Sequence, residues 1–313
     1  MSCDRMPGIG GDICCSRTGD AEVARGAGLR IAYLILCHGQ PAQIRRLVMA
    51  LPPSSPIFIH VDARTSAAVH AEIHQLAYLR AHIHFVPRHR CFWSGYGIVK
   101  ATNQLIISAL ASGEAFDRAT LLSGADYPIK SQEHINAFFE NAGDAEFIEA
   151  FPLHAPNRWS NHEGLYHGAS RVDWFHVRFR SRAWRSPWRR RLPLGYEPWG
   201  GGQWWTLTRP ALELIADVAR KHPALPRFFR NVFLPDESYF QTLLGNSRFR
   251  GAIAGDDLRL VIWDRPEPPY PAIFKARDIE CLAESDKLFA RKFDLYRNPE
   301  IYELIDARFL RRS

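Results

Sequence analysis

A short acidic segment, from Leu234 to Phe240, contains the residues of this sequence that are best placed to do chemistry. Pro235 is followed by Asp236 and Glu237. Proline fits the first turn of a helix and acidic groups favour the positive end of the helix dipole, so the segment predicts a helix start. A carboxylate held at a helix start can also face a cleft and act as a general base. The segment alone leaves both interpretations open.

Other polar and aromatic residues lie in loops that follow predicted strands. They are Asp62 and Arg64 after a strand at 57–61, Trp93 and Ser94 after one at 83–86, and Asp126 after one at 119–123. In open α/β sheets, ligands bind outside the carboxyl ends of the strands. The sequence therefore predicts a binding site at this edge of a sheet.

The strands that carry these loops alternate with predicted helices. The run Ile31 to His38 is almost continuously apolar, which is typical of a strand buried on both faces of a parallel sheet. Predicted helices occupy about 41–51, 65–80, 98–111 and the segment after Ser131. We expect one large α/β domain over 30–313, preceded by a disordered leader at 1–29 that has no apolar signal-peptide core.

Composition limits the class of protein. The 313 residues are 46% apolar and 23% charged, as in an ordinary globular protein, and the net charge of +7 indicates anionic partners. No window reaches the roughly 18 consecutive apolar residues of a spanning helix, so we expect a soluble or peripherally bound protein. The six cysteines form no CxxC pair and are predicted to be free thiols in a reducing compartment.

The segment 171–191 is strongly basic and aromatic. It contains eight arginines and three tryptophans, with Asp173 as its only acid. Such a segment can bind single-stranded nucleic acid, anionic glycans or lipid headgroups. It can equally be a solvated insertion or an amphipathic hairpin.

Seven motifs, taken in order, resemble glycosyltransferase family 14, which contains the core-2 and I-branching β-1,6-N-acetylglucosaminyltransferases and the peptide O-xylosyltransferases. The motifs lie at 31–38, 59–62, 93–95, 122–129, 201–205, 234–238 and 288–293. The resemblance implies a GT-A-like, Rossmann-type mixed sheet flanked by helices, and an inverting displacement from a UDP-sugar without a metal or other cofactor. No DxD motif follows the predicted strands at 57–61 and 119–123. After the first of them, Asp62-Ala63-Arg64 has a cation in place of the second acid.

The resemblance also assigns expected roles to individual residues. Glu237 matches the family's base, and Asp126 would orient the acceptor or serve as the alternative base. The donor-binding residues implied are Asp62, Arg64, Trp93, Ser94, Lys292 and, with a less certain alignment, Arg265. Trp204 and Trp205 are expected to flank the sugar and the acceptor.

Together these observations predict a bacterial-type enzyme of polysaccharide biosynthesis. It would move GlcNAc or xylose from a UDP-sugar to a glycan or lipid-linked glycan, forming a β-linkage. We expect a cytoplasmic protein that can contact the inner membrane through 171–191. The alternatives are a nucleic-acid- or glycan-binding protein without catalysis, a glycoside hydrolase using Asp126 and Glu237, and an inactive scaffold. Nucleic acid is the less expected partner, because it does not account for acidic groups at the strand ends.

Overall fold

The computed structural model of the protein describes residues 28–162, 167–179, 182–265 and 269–310. The predicted leader at 1–29 lies outside the described residues except for its last two positions.

Strands and helices alternate through the first half of the described chain. The strands are β1 Ile31–Cys37, β2 Ile57–Val61, β3 Ile83–Phe85, β4 Arg118–Ser123, β5 Asp126–Pro128, β6 Phe147–Ile148, β7 Phe151–Pro152, β8 Trp174–Phe179, β9 Arg182–Arg189, β10 Trp199–Gly200, β11 Trp205–Thr208, β12 Arg259–Val261 and β13 Phe289–Arg291. The α-helices are α1 Pro41–Ala50, α2 Ala67–His74, α3 Gly97–Ala111, α4 Gln132–Asn141, α5 Gly168–Asp173, α6 Arg209–Lys221, α7 Ala224–Phe229, α8 Tyr239–Gly245, α9 Ile279–Glu284 and α10 Glu300–Arg308.

The central sheet has six strands in the order β3-β2-β1-β4-β11-β6. The pairs β3-β2, β2-β1 and β1-β4 are parallel, whereas β11 runs antiparallel to both of its neighbours. Parallel pairing brings the carboxyl ends of β1, β2 and β4 to one edge, as the sequence predicts. The expectation of a mixed α/β sheet flanked by helices is confirmed.

Both faces of the sheet are covered, and β1 shows why its sequence is continuously apolar. Tyr33 and Ile35 point into one hydrophobic cluster, which includes Leu47 of α1. Leu34 points into the other cluster, which includes Leu105 of α3. Because side chains alternate along a strand, a strand covered on both faces needs apolar residues at every position.

Three smaller sheets are also present in the described part of the chain. In one of them the order β12-β13-β5 places Asp126 opposite Arg291. A second joins β7 and β10. The third is the antiparallel hairpin of β8 and β9, which forms most of the basic segment 171–191.

The acidic segment begins a helical region, but in two steps. Leu234 has a left-handed backbone (φ 52°), and a 3-10 turn then spans Pro235–Glu237. Ser238, at φ −147° and ψ −20°, lies outside the helical region, so α8 begins only at Tyr239. The prediction of a helical start at Pro235 is confirmed, and the break at Ser238 separates Glu237 from the α-helix that follows.

Candidate active site

Glu237 is held at the end of the 3-10 turn by a buried arginine. Arg171 Nη1 donates to Glu237 Oε2 at 2.6 Å. The Glu237 side chain is 30% exposed, whereas that of Arg171 is 5% exposed. The Arg171 guanidinium also stacks 3.8 Å from the ring centre of Trp159, which fixes its position. Glu237 is thus a positioned carboxylate that solvent and small molecules can reach.

The surroundings of Glu237 change its affinity for a proton. Burial raises its pKa, the positive charge and hydrogen bond of Arg171 oppose this, and the pKa remains above its ordinary value. Arg158 also lowers this pKa and Glu149 raises it, both through charge alone. A partly exposed carboxylate with a raised pKa is suited to accept a proton near neutral pH.

A pair of glycines brings the backbone close to this carboxylate. Gly201 N donates to the carbonyl oxygen of Glu237 at 3.0 Å. A Cβ at Gly201 would lie 1.7 Å from the carbonyl oxygen of Glu149, so any side chain is excluded there. The motif that contains Gly201 therefore connects the end of β6 to the acidic segment.

A second acidic group lies beside Gly202. Glu149 accepts bonds from Arg158 Nε and Nη2 at 2.6 Å each, and from Gly202 N at 2.7 Å. A Cβ at Gly202 would lie 3.2 Å from carboxylate oxygens of both Glu149 and Asp257. Burial raises the pKa of Asp257, and the charge of Glu149 adds to the shift.

Sequence reasoning did not assign a site role to these neighbours of Glu237. Glu149 follows β6 directly, so it shows the same signal, an acid at a strand end, that identified Asp62 and Asp126. Arg171 was counted with the basic segment, and its pairing with Glu237 has no signal in the sequence.

Asp62 lies just after β2, as predicted, and is folded against its own neighbour. Arg64 Nε and Nη2 donate to Asp62 Oδ2 at 3.0 and 2.8 Å, and Cys91 N donates to Oδ1 at 3.3 Å. Burial raises the pKa of Asp62, but these hydrogen bonds outweigh it and the pKa lies below its ordinary value. Arg64, with 45% of its side chain exposed, stacks on Phe92 at 4.6 Å. The cation in the Asp62-Ala63-Arg64 sequence therefore neutralises the acid directly.

The loop after β3 packs against the acidic segment. Trp93 contacts Phe233 edge to face at 6.0 Å between ring centres, and Tyr96 contacts Tyr239 in the same way at 6.3 Å. Trp93 is 61% exposed, whereas Ser94 is 2% exposed. The structure thus brings this strand-end loop beside the segment that carries Glu237, with Trp93 as its accessible face.

Asp126 lies in a closed network. Its side chain has no exposed surface, and Arg291 Nε lies 3.7 Å from Oδ1. Ser123 N donates to Oδ2 across the turn between β4 and β5. The Arg291 guanidinium stacks 4.3 Å from the ring centre of Trp204. In this structure Asp126 contacts protein groups on all sides.

The two tryptophans expected to flank the sugar and the acceptor, Trp204 and Trp205, are both largely buried. Trp205 is completely buried in β11, where it packs on Phe240 of α8 at 5.9 Å between ring centres. The physical reason is that β11 lies inside the sheet between β4 and β6, with its face covered by helix. Trp204 is 8% exposed and stacks on Arg291, so little of its ring is accessible to a ligand.

The two predicted phosphate-binding cations differ in their partners. Arg265 Nη2 donates to Asp278 Oδ1 at 2.5 Å, so its charge is already paired. Lys292 follows β13, and its backbone is fixed by Phe274 N, which donates to its carbonyl oxygen at 2.9 Å. Among the described residues, the ammonium of Lys292 has no hydrogen-bond or ion-pair partner.

The basic segment forms the amphipathic hairpin that the sequence allowed. His176 of β8 is 1% exposed and faces the protein. On the opposite face Trp184 and Trp188 are 50% and 68% exposed. Arg185 lies 4.9 Å over the ring of Trp174. The hairpin therefore presents two tryptophans to solvent.

Three further predictions concern groups elsewhere in the chain. Within the described ranges, Cys37, Cys91 and Cys281 are free thiols. No helix in that part of the chain is long and apolar enough to cross a membrane. The same residues contain no group of three His, Cys, Asp or Glu side chains placed to hold a metal ion.

The six-stranded mixed sheet with helices on both faces is consistent with the GT-A-like fold that the sequence predicts. A family model described as Core-2/I-branching enzyme matches residues 31–283. The chain therefore belongs to the Core-2/I-branching enzyme family, and the predicted glycosyltransferase family is confirmed.

Named relatives agree with this family. Xylosyltransferase 2 of Canis lupus familiaris and of Homo sapiens are each 29% identical to the chain over 301 residues, which is 90% of the chain and 34% of each relative. Xylosyltransferase 1 of Canis lupus familiaris is 27% identical over 301 residues, 89% of the chain and 30% of that protein. The chain thus spans about a third of the length of these curated relatives.

Proposed function

We propose that the protein transfers a sugar from a UDP-sugar to a glycan hydroxyl by an inverting, metal-independent displacement that forms a β-linkage. The observation that carries the proposal is the geometry of Glu237, a partly exposed carboxylate fixed by buried Arg171, with a raised pKa. Membership of the Core-2/I-branching family supports the reaction class. The xylosyltransferase relatives favour xylose, with GlcNAc as the second donor sugar.

In the proposed reaction Glu237 acts as the general base. It takes the proton from the acceptor hydroxyl while that oxygen attacks the anomeric carbon from the face opposite UDP. One bond forms between the acceptor oxygen and the anomeric carbon, and the bond from that carbon to the UDP oxygen breaks. The proton remains on Glu237, and UDP leaves with the bonding electron pair.

The charge that develops on UDP needs fixed positive groups. Preorganised cations near a leaving phosphate stabilise the transition state because they do not have to reorganise during the reaction. Lys292, which lacks a partner among the described residues, is the better candidate, and Arg265 is second because Asp278 already holds it. Asp62, Arg64 and Trp93 would bind the uridine end of the donor.

A donor screen tests the proposal. UDP release would be measured with UDP-xylose, UDP-GlcNAc, UDP-glucose and UDP-galactose, each with and without a chelator. We expect one donor to stand out, and chelation to leave its rate unchanged. A rate that falls on chelation and returns with a divalent ion would contradict metal independence. Glycan hydrolysis without any UDP-sugar would show a glycosidase.

The exposed face of the hairpin supports peripheral membrane contact as a second part of the proposal. Tryptophan prefers the membrane interface and arginine is attracted to anionic headgroups. Flotation with vesicles containing phosphatidylglycerol should be weakened when Trp184 and Trp188 are both changed to serine. Equal flotation of the variant and the original chain would exclude this contact.

A non-catalytic binding protein is the competing function. It accounts for the net charge of +7 and the basic hairpin, but gives no role to the Glu237–Arg171 pair. Binding to single-stranded nucleic acid that weakens steeply with salt, without UDP release from any donor, would favour it.

A further inference from the structure

A cavity of about 560 Å³ lies at the base of the hairpin, between the end of α5 and the end of β9. Its volume is within the range of about 300–1,000 Å³ that is usual for ligand pockets. The polar and aromatic residues that line it are His154, Asp173, Arg189, Arg190, Arg191 and Tyr196. The lining thus combines hydrogen-bonding groups with an unusual concentration of arginine.

The charges around this cavity do not balance. Three arginines face one carboxylate, that of Asp173. Asp173 is already engaged, because His154 Nε2 lies 3.1 Å from each of its oxygens. Within the described residues, no salt bridge joins Arg189, Arg190 or Arg191 to a carboxylate.

Arg190 makes the excess of positive charge around the cavity more unfavourable. Its Nη1 donates to the carbonyl oxygen of Phe228 at 3.0 Å, and its Nη2 donates to that of Asn231 at 2.9 Å. Carbonyl oxygens satisfy the donors but supply no counter-charge. Burial lowers the pKa of Arg190 to about 10, so the group remains charged at neutral pH. A partly buried charge without a counter-ion is unfavourable, and a bound anion would compensate it.

The two neighbouring arginines can reach a ligand. Arg189 is exposed and is held over the ring of Trp174 at 5.1 Å, and Arg191 is also exposed. A guanidinium matches a carboxylate or phosphate with two parallel hydrogen bonds. Tyr196 adds an aromatic surface, and the His154–Asp173 pair offers partners for sugar hydroxyls.

We propose that this cavity binds an anionic sugar residue of the acceptor, carrying a carboxylate or a phosphate, through Arg189 and Arg191. Two residues that line the cavity, Val172 and Asp173, directly follow Arg171 in α5, so the cavity and the arginine partner of the proposed base share one helix. The assignment to the acceptor rests on the proposed transferase function. The binding of an anionic sugar does not, and it can be measured separately.

Isothermal titration calorimetry with the full chain tests the binding. The probe is a disaccharide that contains a uronic acid, and its control is the same disaccharide after reduction of the carboxyl group to an alcohol. We expect the acidic disaccharide to bind at least about tenfold more tightly, as a charge-assisted bidentate contact predicts. A sugar phosphate should bind in the same way.

Two variants locate the site. Arg189→Gln and Arg191→Gln should each weaken the acidic disaccharide about tenfold and leave UDP affinity unchanged. Arg220→Gln removes the same charge from an exposed arginine of α6 and should have no effect. Equal affinity for the acidic and reduced disaccharides, or equal losses in all three variants, would overturn the proposal. Discrimination between the disaccharides without UDP release from any donor would keep the site and reject the transferase.

Discussion

Glu237 and Asp126 are two acidic residues proposed for one reaction, and they occupy opposite environments. Glu237 is 30% exposed and has a single buried arginine holding one of its oxygens. Asp126 has no exposed side-chain surface and is enclosed by Ser123 N and Arg291. A base must exchange a proton with a substrate, so it needs an open side. The difference in exposure favours Glu237 as the proposed base and leaves Asp126 as the alternative.

The two cationic partners differ in the same way. Arg171 stacks on Trp159 and places Glu237 toward an open region. Arg291 stacks on Trp204 and closes the region around Asp126. One ion pair therefore holds a partly exposed carboxylate, while the other joins β13 to β5. An ion pair alone does not identify a catalytic carboxylate. The exposure of the carboxylate shows whether a substrate can reach it.

The largest expected effect is that of Glu237→Gln. The substitution keeps the size and one hydrogen-bond acceptor but removes the ability to take a proton. We expect the rate of UDP release with acceptor to fall by about 10²–10⁴-fold, as for the loss of a general base. UDP affinity, measured by calorimetry, should stay within about twofold. Near-normal turnover would show that Glu237 is not the general base, and Asp126 would then be the candidate.

The second expectation is a loss of stability in Asp126→Asn. Removing one partner of a buried pair leaves Arg291 without its counter-charge, which costs about 3–5 kcal/mol in comparable pairs. The free energy of unfolding from urea titration measures this. Asp217→Asn is the control, because its pairs with Arg220 and Lys221 are exposed to solvent and should contribute little to the free energy of unfolding.

A different outcome for Asp126→Asn would reverse the comparison. If the variant unfolds at the same urea concentration as the original chain but loses turnover by about 10²-fold or more, Asp126 acts in the chemistry. That result would mean that the network around Asp126 opens when substrates bind.

Sequence patterns predicted the scaffold well, for a physical reason. Strands buried on both faces require continuous apolar runs, and the run from Ile31 coincides with β1. Once those strands are predicted from their apolar residues, Asp62 and Asp126 are predicted to lie at strand ends. Local sequence contains these signals because strand burial affects consecutive residues.

The side-chain environment could not be predicted in the same way. Glu237 and Arg171 are 66 positions apart, and only the folded chain brings them into contact. Trp204 and Trp205 have the same residue type, and their difference in surroundings depends on the strands and helices that cover β11. Contacts between distant segments decide which predicted residues are accessible, and no spacing rule gives them.

The smallest expected effect, and the most specific to the proposed roles, is a change of pH profile in Arg171→Met. Arg171 lowers the pKa of Glu237 against the effect of burial, so its removal should raise that pKa further. Because Glu237 must be deprotonated to act, the acid limb of kcat/KM against pH should move to higher pH. The rate on the plateau should fall by less than about tenfold, since the base itself is retained.

Two companion variants separate orientation from charge. Arg171→Lys keeps the charge and should restore much of the original acid limb, even if the stacking on Trp159 is weaker. Arg158→Met should move the limb in the same direction but by less, since Arg158 has the smaller effect on Glu237 and pairs with Glu149. A purely structural role for Arg171 predicts a lower rate with an unmoved acid limb. That result would mean that the open side of Glu237, and not its buried partner, sets its protonation.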